Sequence, residues 1–150
     1  MTKPIYVLNG PNLNLLGSRE PQVYGSETLE DVRARCDRKA AKLGFAIDFR
    51  QSNHEGELVA WIQEAKEKAA GLIVNAGAFT HSSIAMLDAL LATELPCVEV
   101  HLSNIFRRES FRHNSYISKG AKGVICGFGP LGYELAIEAL AASLEPKKAR

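Results

Sequence analysis

Short apolar, β-rich runs alternate with helical patterns along the whole chain, and this alternation restricts the fold more than any other feature. Residues 4–9 (PIYVLN) open as a buried strand. A helix is predicted over 28–43, with Leu29, Val32, Cys36, Ala40 and Leu43 on one face. Thr28 and Asp31 fit a capping box at its start, and Gly44 fits its stop. Phe45, Ile47 and Phe49 alternate with polar residues, the pattern of a half-exposed edge strand. A second helix is predicted over 57–70, with Leu58, Trp61, Ile62, Ala65 and Ala69 inward, followed by a buried strand over 72–75. A third helix over 83–93 begins at a serine cap and is expected to turn Ile84, Leu87, Leu90 and Leu91 to the core. Strands over 97–102 and 123–126 and a helix over 133–144 complete the series.

Strands joined by helical crossovers pair in parallel, with helices on both faces. An edge-like second strand and apolar third to fifth strands point to the order 2-1-3-4-5. The expected fold is therefore α/β, a flavodoxin-like three-layer sandwich around a five-stranded parallel sheet. The 150 residues suit one domain, with only the tail 145–150 (EPKKAR) expected to fray. The stretch 103–122 stands apart. It is a polar connection without helical periodicity, and connections of that length tend to carry function.

Composition narrows the function classes. A net charge of +1 gives no general pull toward nucleic acid or an anionic membrane. No apolar run nears the roughly 20 residues of a membrane span. MTKPIYVLNG starts a strand at once, so no signal peptide is expected. Cys36, Cys97 and Cys126 form no CxxC pair and read as buried free thiols of a cytoplasmic protein.

In such a sheet, ligands bind beyond the carboxyl ends of the strands where strand order reverses, here between the first and third. The strand ends read Asn9-Gly10-Pro11-Asn12, Ser52-Asn53-His54-Glu55 and Asn75-Ala76-Gly77-Ala78-Phe79-Thr80-His81. The fourth strand holds Glu99 and His101 and ends in Ser103-Asn104. Each histidine alone reads as a surface or capping residue, but three of the four converge on one rim. Glu99, His101 and His81 could make a three-ligand metal set, without any supporting motif. His81-Ser82-Ser83 is no nucleophile elbow. Gly127, Gly129 and Gly132 spell GxGxxG, but after the last strand, so they read as a tight turn rather than a dinucleotide loop. Asn12, Asn75, His81, His101, Ser103 and the arginines of 107–112 remain, a donor set suited to a small polyhydroxylated acid. A flavin- or nucleotide-binding module on the same fold is the alternative, and the lack of a phosphate loop after the first strand argues against it.

Four blocks sharpen this reading: NGPNLNLLGSREPQVYG, QSNHEGELV, NAGAFTHSSIA and EVHLSNIFRRESFRHNSY. In this order and spacing the chain resembles the type II 3-dehydroquinate dehydratases. The resemblance implies dehydration of 3-dehydroquinate to 3-dehydroshikimate, in the shikimate pathway or in quinate breakdown. It implies no metal, no cofactor, and a homododecamer built as a tetramer of trimers. Tyr24 is then the base, kept ionised by Arg19 on the same loop, with Gly17 and Gly25 bracketing the pair as a lid. Asn12 holds a water at the enolate oxygen, and His101 is the acid, oriented by Glu99. Leu102 (through its backbone) and Ser103 bind the carboxylate, while Asn75, His81 and Arg112 bind ring hydroxyls. Gly77 lies in the wall that approaches substrate, and Asp88 is expected to reach a neighbouring subunit's site. Position 79 is Phe where the family often has Tyr, and 76–77 is Ala-Gly where Pro-Ala is common in some members. To act as a base at pH 7, a tyrosine must favour its phenolate by roughly 4 kcal/mol more than it does in water. A cation within about 4–6 Å supplies part of that preference.

Overall fold

The structure is a computed structural model and describes residues 2–18, 22 and 26–144. Five strands, β1 (Ile5–Asn9), β2 (Ile47–Gln51), β3 (Gly71–Asn75), β4 (Cys97–His101) and β5 (Gly123–Cys126), form one parallel sheet. Its order is 2-1-3-4-5, as the sequence pattern predicts. Among the described residues, four α-helices cross between strands or close the chain: α1 (Leu29–Lys42), α2 (Glu55–Lys68), α3 (Ile84–Thr93) and α4 (Leu131–Leu144). The polar stretch after β4 folds as three short 3₁₀ turns.

Strand parity sorts the core into two layers. On β1, Ile5 and Val7 face α1 and α4, where they meet Val32, Cys36, Ile137 and Leu140. Tyr6 and Leu8 face α2 and α3, meeting Leu58, Ile62, Met86 and Leu90. Both layers are closed to solvent, and each buried aliphatic chain contributes about 1.5–3 kcal/mol. The same alternation governs the polar strand ends. Asn9 and Asn75 follow the parity of Val7 and Ile73 and so face α4. Glu99 and His101 share the parity of Cys97 and face the other layer.

The predicted caps form. Thr28 Oγ1 accepts from Asp31 N at 3.2 Å, and Asp31 Oδ2 accepts from Thr28 N at 2.9 Å. Ser83 Oγ accepts from Met86 N at 3.0 Å. Gly127 and Gly129 both take positive φ in the turn before α4, as the tight turn predicted for the GxGxxG stretch requires.

Some expectations need correction. On α3, Ile84 and Leu91 are 54% and 56% exposed, and the core side is Met86, Ala89, Leu90 and Thr93. The helix is apolar nearly all round, so periodicity alone did not single out its inner face. Cys36 and Cys97 are buried free thiols, whereas Cys126 is partly exposed. The reason is its place on β5, which is apolar in sequence yet forms an open sheet edge with Val124 exposed. Leu43 and Leu15, at a helix end and a loop, are also exposed, while Leu13 and Leu16 are buried and anchor the loop after β1.

Candidate active site

The chain ends β1 and β3 side by side, Asn9 opposite Asn75, and leaves them in different directions. That divergence opens a cleft of about 290 Å³ over the carboxyl edge of the sheet. Its floor is set by close backbone packing. A Cβ on Gly10 would lie 2.2 Å from the Ala76 carbonyl oxygen. Gly77 takes φ +59°, and a Cβ there would lie 3.0 Å from the Pro11 oxygen. Each of the two loops thus has a glycine pressed against the other's backbone.

The cleft brings together Asn12, Asn75, Gly77, His81, His101, Leu102, Ser103 and Arg112, all singled out in the sequence. Pro11, Leu13, Ala78, Ile105 and Arg108 complete the lining. Asn12 sits in the left-handed region at φ 68°, and its N–H donates to Asn53 Oδ1 at 3.0 Å. Asn53 also accepts from Gln51 Nε2 at 3.1 Å, which ties the loop to the end of β2. His81 Nδ1 lies 2.8 Å from the Asn114 carbonyl oxygen. A carbonyl only accepts, so Nδ1 carries the proton and Nε2 is left for a ligand. Arg112 Nε donates to Glu109 Oε2 at 2.8 Å, which fixes the guanidinium at the rim. The Leu102 carbonyl accepts from Gly129 N at 2.9 Å, holding the end of β4 against the glycine turn.

Behind His101 stands Glu99, fully buried, with Oε2 bonded to His101 Nε2. Ser115 Oγ donates to the same oxygen at 2.8 Å, and Ser118 Oγ donates to Oε1. Burial opposes the charge on Glu99, but the hydrogen bonds from His101 and Ser118, the attraction of His101 and the bond from Ser115 outweigh it. The carboxyl is held below its ordinary value of 4.5. An ionised Glu99 makes Nε2 of His101 the protonated nitrogen and leaves Nδ1 for the cleft.

Asp88 does not line the cleft; it lies exposed on the outer face of α3, between Ile84 and Leu91. Arg19, Tyr24 and Gly25 lie outside the described residues. Gly17 marks the loop's near end at φ +93°, where a Cβ would lie 3.2 Å from the Ser26 oxygen, so the two ends of the segment meet. Among the described residues no three His, Cys, Asp or Glu side chains cluster closely enough to hold a metal ion.

Four participants escaped the sequence reading. Ser115 and Ser118 belong to the irregular connection after β4, where no periodicity assigns a face. Asn9 and Tyr133, buried and hydrogen-bonded to each other at 2.7 Å, looked like a strand end and a helix start. Strand parity is the one signal that places Asn9 beside Asn75.

A family model described as dehydroquinase class II matches residues 3–141 of the chain. A 3-dehydroquinate dehydratase of Phenylobacterium zucineum is 60% identical over 141 residues, covering 94% of this chain and 97% of that relative. Another, of Brucella canis, is 60% identical over 142 residues, covering 95% and 90%. Among solved structures, a type II dehydroquinase from Propionibacterium acnes superposes with a TM-score of 0.90 at 45% identity, covering 95% of this chain and 98% of the other.

Proposed function

This chain belongs to the class II dehydroquinase family and dehydrates 3-dehydroquinate, and we propose that the cleft over β1, β3 and β4 is where it does so. The observation that carries the assignment is the buried Glu99–His101 pair at the edge of a cleft lined with amides, histidines and an arginine.

His101 is the acid. Glu99 orients its ring through Nε2, so the protonated ring presents Nδ1–H to the departing hydroxyl. Hydroxide is a poor leaving group and needs that proton as the C–O bond breaks. Tyr24, ionised with the help of Arg19, takes the proton from the carbon next to the ketone, and Asn12 with a bound water steadies the enolate oxygen. Base and acid belong to different segments, the loop after β1 and the end of β4, which suits proton transfer at opposite faces of the ring in an anti elimination. The backbone of Leu102 and the Ser103 hydroxyl hold the carboxylate, and Asn75, His81 and Arg112 hold ring hydroxyls, with Gly77 giving the ring close access to the wall.

No metal or cofactor enters this scheme. The test is conversion of 3-dehydroquinate by purified protein in the presence of chelator, followed as the rising ultraviolet absorbance of the conjugated enone. A flat trace, where an active dehydratase gives a rise, would overturn the assignment.

Asp88 reaches a neighbouring copy's cleft, and the assembly is a dodecamer of four trimers. Exposed Ile84 and Leu91 on either side of Asp88 and the open edge of β5 support an oligomer. Sedimentation velocity at a single dodecamer mass is the expected result. The cytoplasm is the proposed location, in keeping with three unpaired thiols, and cell fractionation tests it.

A further inference from the structure

A chain of four hydrogen bonds, buried at its centre, runs from β2 to the cleft, and each link has only one possible sense. Asn9 Nδ2 donates to the Arg50 carbonyl at 3.0 Å. A backbone carbonyl cannot donate, so the Asn9 amide is fixed with its oxygen turned the other way. That oxygen accepts from the Tyr133 hydroxyl at 2.7 Å. Its single hydrogen now committed, the Tyr133 oxygen can only accept, and it does so from Asn75 Nδ2 at 2.8 Å. At the far end Asn75 Oδ1 accepts from Gly77 N at 3.3 Å. A backbone carbonyl and a backbone N–H therefore dictate the sense at both ends. Asn9 and Tyr133 are fully buried and Asn75 nearly so, which shields the two central links from water, while the end links to Arg50 and Gly77 are partly buried.

We propose that Tyr133, backed by Asn9, is a positioning residue that locks the Asn75 amide in one orientation, so that Asn75 offers the cleft its second N–H and recognises an acceptor oxygen of the substrate. The proposal rests on the reading of the cleft as the 3-dehydroquinate site and adds to it the direction of one contact. An amide free to flip would present donor and acceptor in turn and would bind a hydroxyl or carboxylate oxygen less well. Tyr133 never touches the ligand; it acts through Asn75, from the first turn of α4. Strand parity makes this possible, since Asn9 and Asn75 lie opposite each other in register and both face that helix.

The experiment is a double-mutant cycle on an enzyme whose wild type turns over 3-dehydroquinate, so that failure of the site assignment registers first, as an inactive wild type. Tyr133→Phe keeps the ring and removes the hydroxyl. It should raise KM for 3-dehydroquinate by about fivefold to tenfold, with the loss falling on KM rather than kcat. Asn75→Ala should raise KM as well, and Tyr133→Phe in that background should add no more than about twofold. If Tyr133→Phe does not fold, Asn9→Ala enters the same cycle. It frees the Tyr133 hydroxyl to turn toward Asn75 and should give the same KM effect. An unchanged KM in the single variant, or a full second loss in the Asn75→Ala background, overturns the proposal.

Discussion

The Glu99 carboxylate receives three donors, His101 Nε2 and the hydroxyls of Ser115 and Ser118, while Glu99 itself is closed to solvent. Its charge is therefore held by the protein alone, and His101 is aligned by a group that water does not reach.

Glu99→Gln keeps the shape and removes the charge. Turnover should fall by about 10²–10⁴-fold, the range associated with a misaligned acid, while KM changes little. Steady-state kinetics decide it. A kcat within a few-fold of wild type would show that His101 needs no orienting carboxylate.

Ser118→Ala withdraws one donor from Glu99, and its folded-state pKa should move back up. A carboxyl depressed on folding stabilises the fold above its unfolded pKa, and that stability is lost as pH falls through the folded value. With the depression relieved, the loss begins at higher pH. The acid-unfolding midpoint and the acid limb of kcat/KM should both shift upward relative to wild type, as read by fluorescence titration and a pH–rate profile.

Tyr24→Phe and Arg19→Ala should each lower turnover by orders of magnitude, about 10²-fold or more, for the loss of a base and of its activating cation. Circular dichroism should match the wild type. Rates near wild type for either would remove that residue from the proton transfer.

Gly10→Ala forces a methyl to within 2.2 Å of the Ala76 oxygen, closer than real Cβ contacts. One loop must move. The expected cost is about 1–3 kcal/mol in urea unfolding, together with a raised KM, because the same loops line the cleft. Gly56→Ala meets nothing within 4 Å in the first turn of α2 and serves as the control, expected to be neutral or stabilising.

The sheet order could be read in advance because it depends on features that repeat: apolar runs, caps and crossovers of helical length. Thr28 with Asp31, and Ser83, mark helix starts by local chemistry, and the structure places both caps there. Ile84 and Leu91 were misassigned because the helix is apolar nearly all round, and the one hint of its outer face is Asp88, which lies between them. The cleft residues were legible where they lie next to strand ends. Ser115 and Ser118 were not, since they meet Glu99 across 16 and 19 residues of irregular chain. Tyr133 lies 58 residues from Asn75, and only the assembled sheet brings them together.

The interlock of Gly10 with Ala76, and of Gly77 with Pro11, has a consequence for how this floor can be altered. A substitution in one loop needs room that the other occupies, so the two segments must change in concert or not at all. Engineering the pocket toward a bulkier ligand would meet this coupling first on the floor, whereas the rim made by Arg112 and Ser103 rests on side chains and admits change one residue at a time.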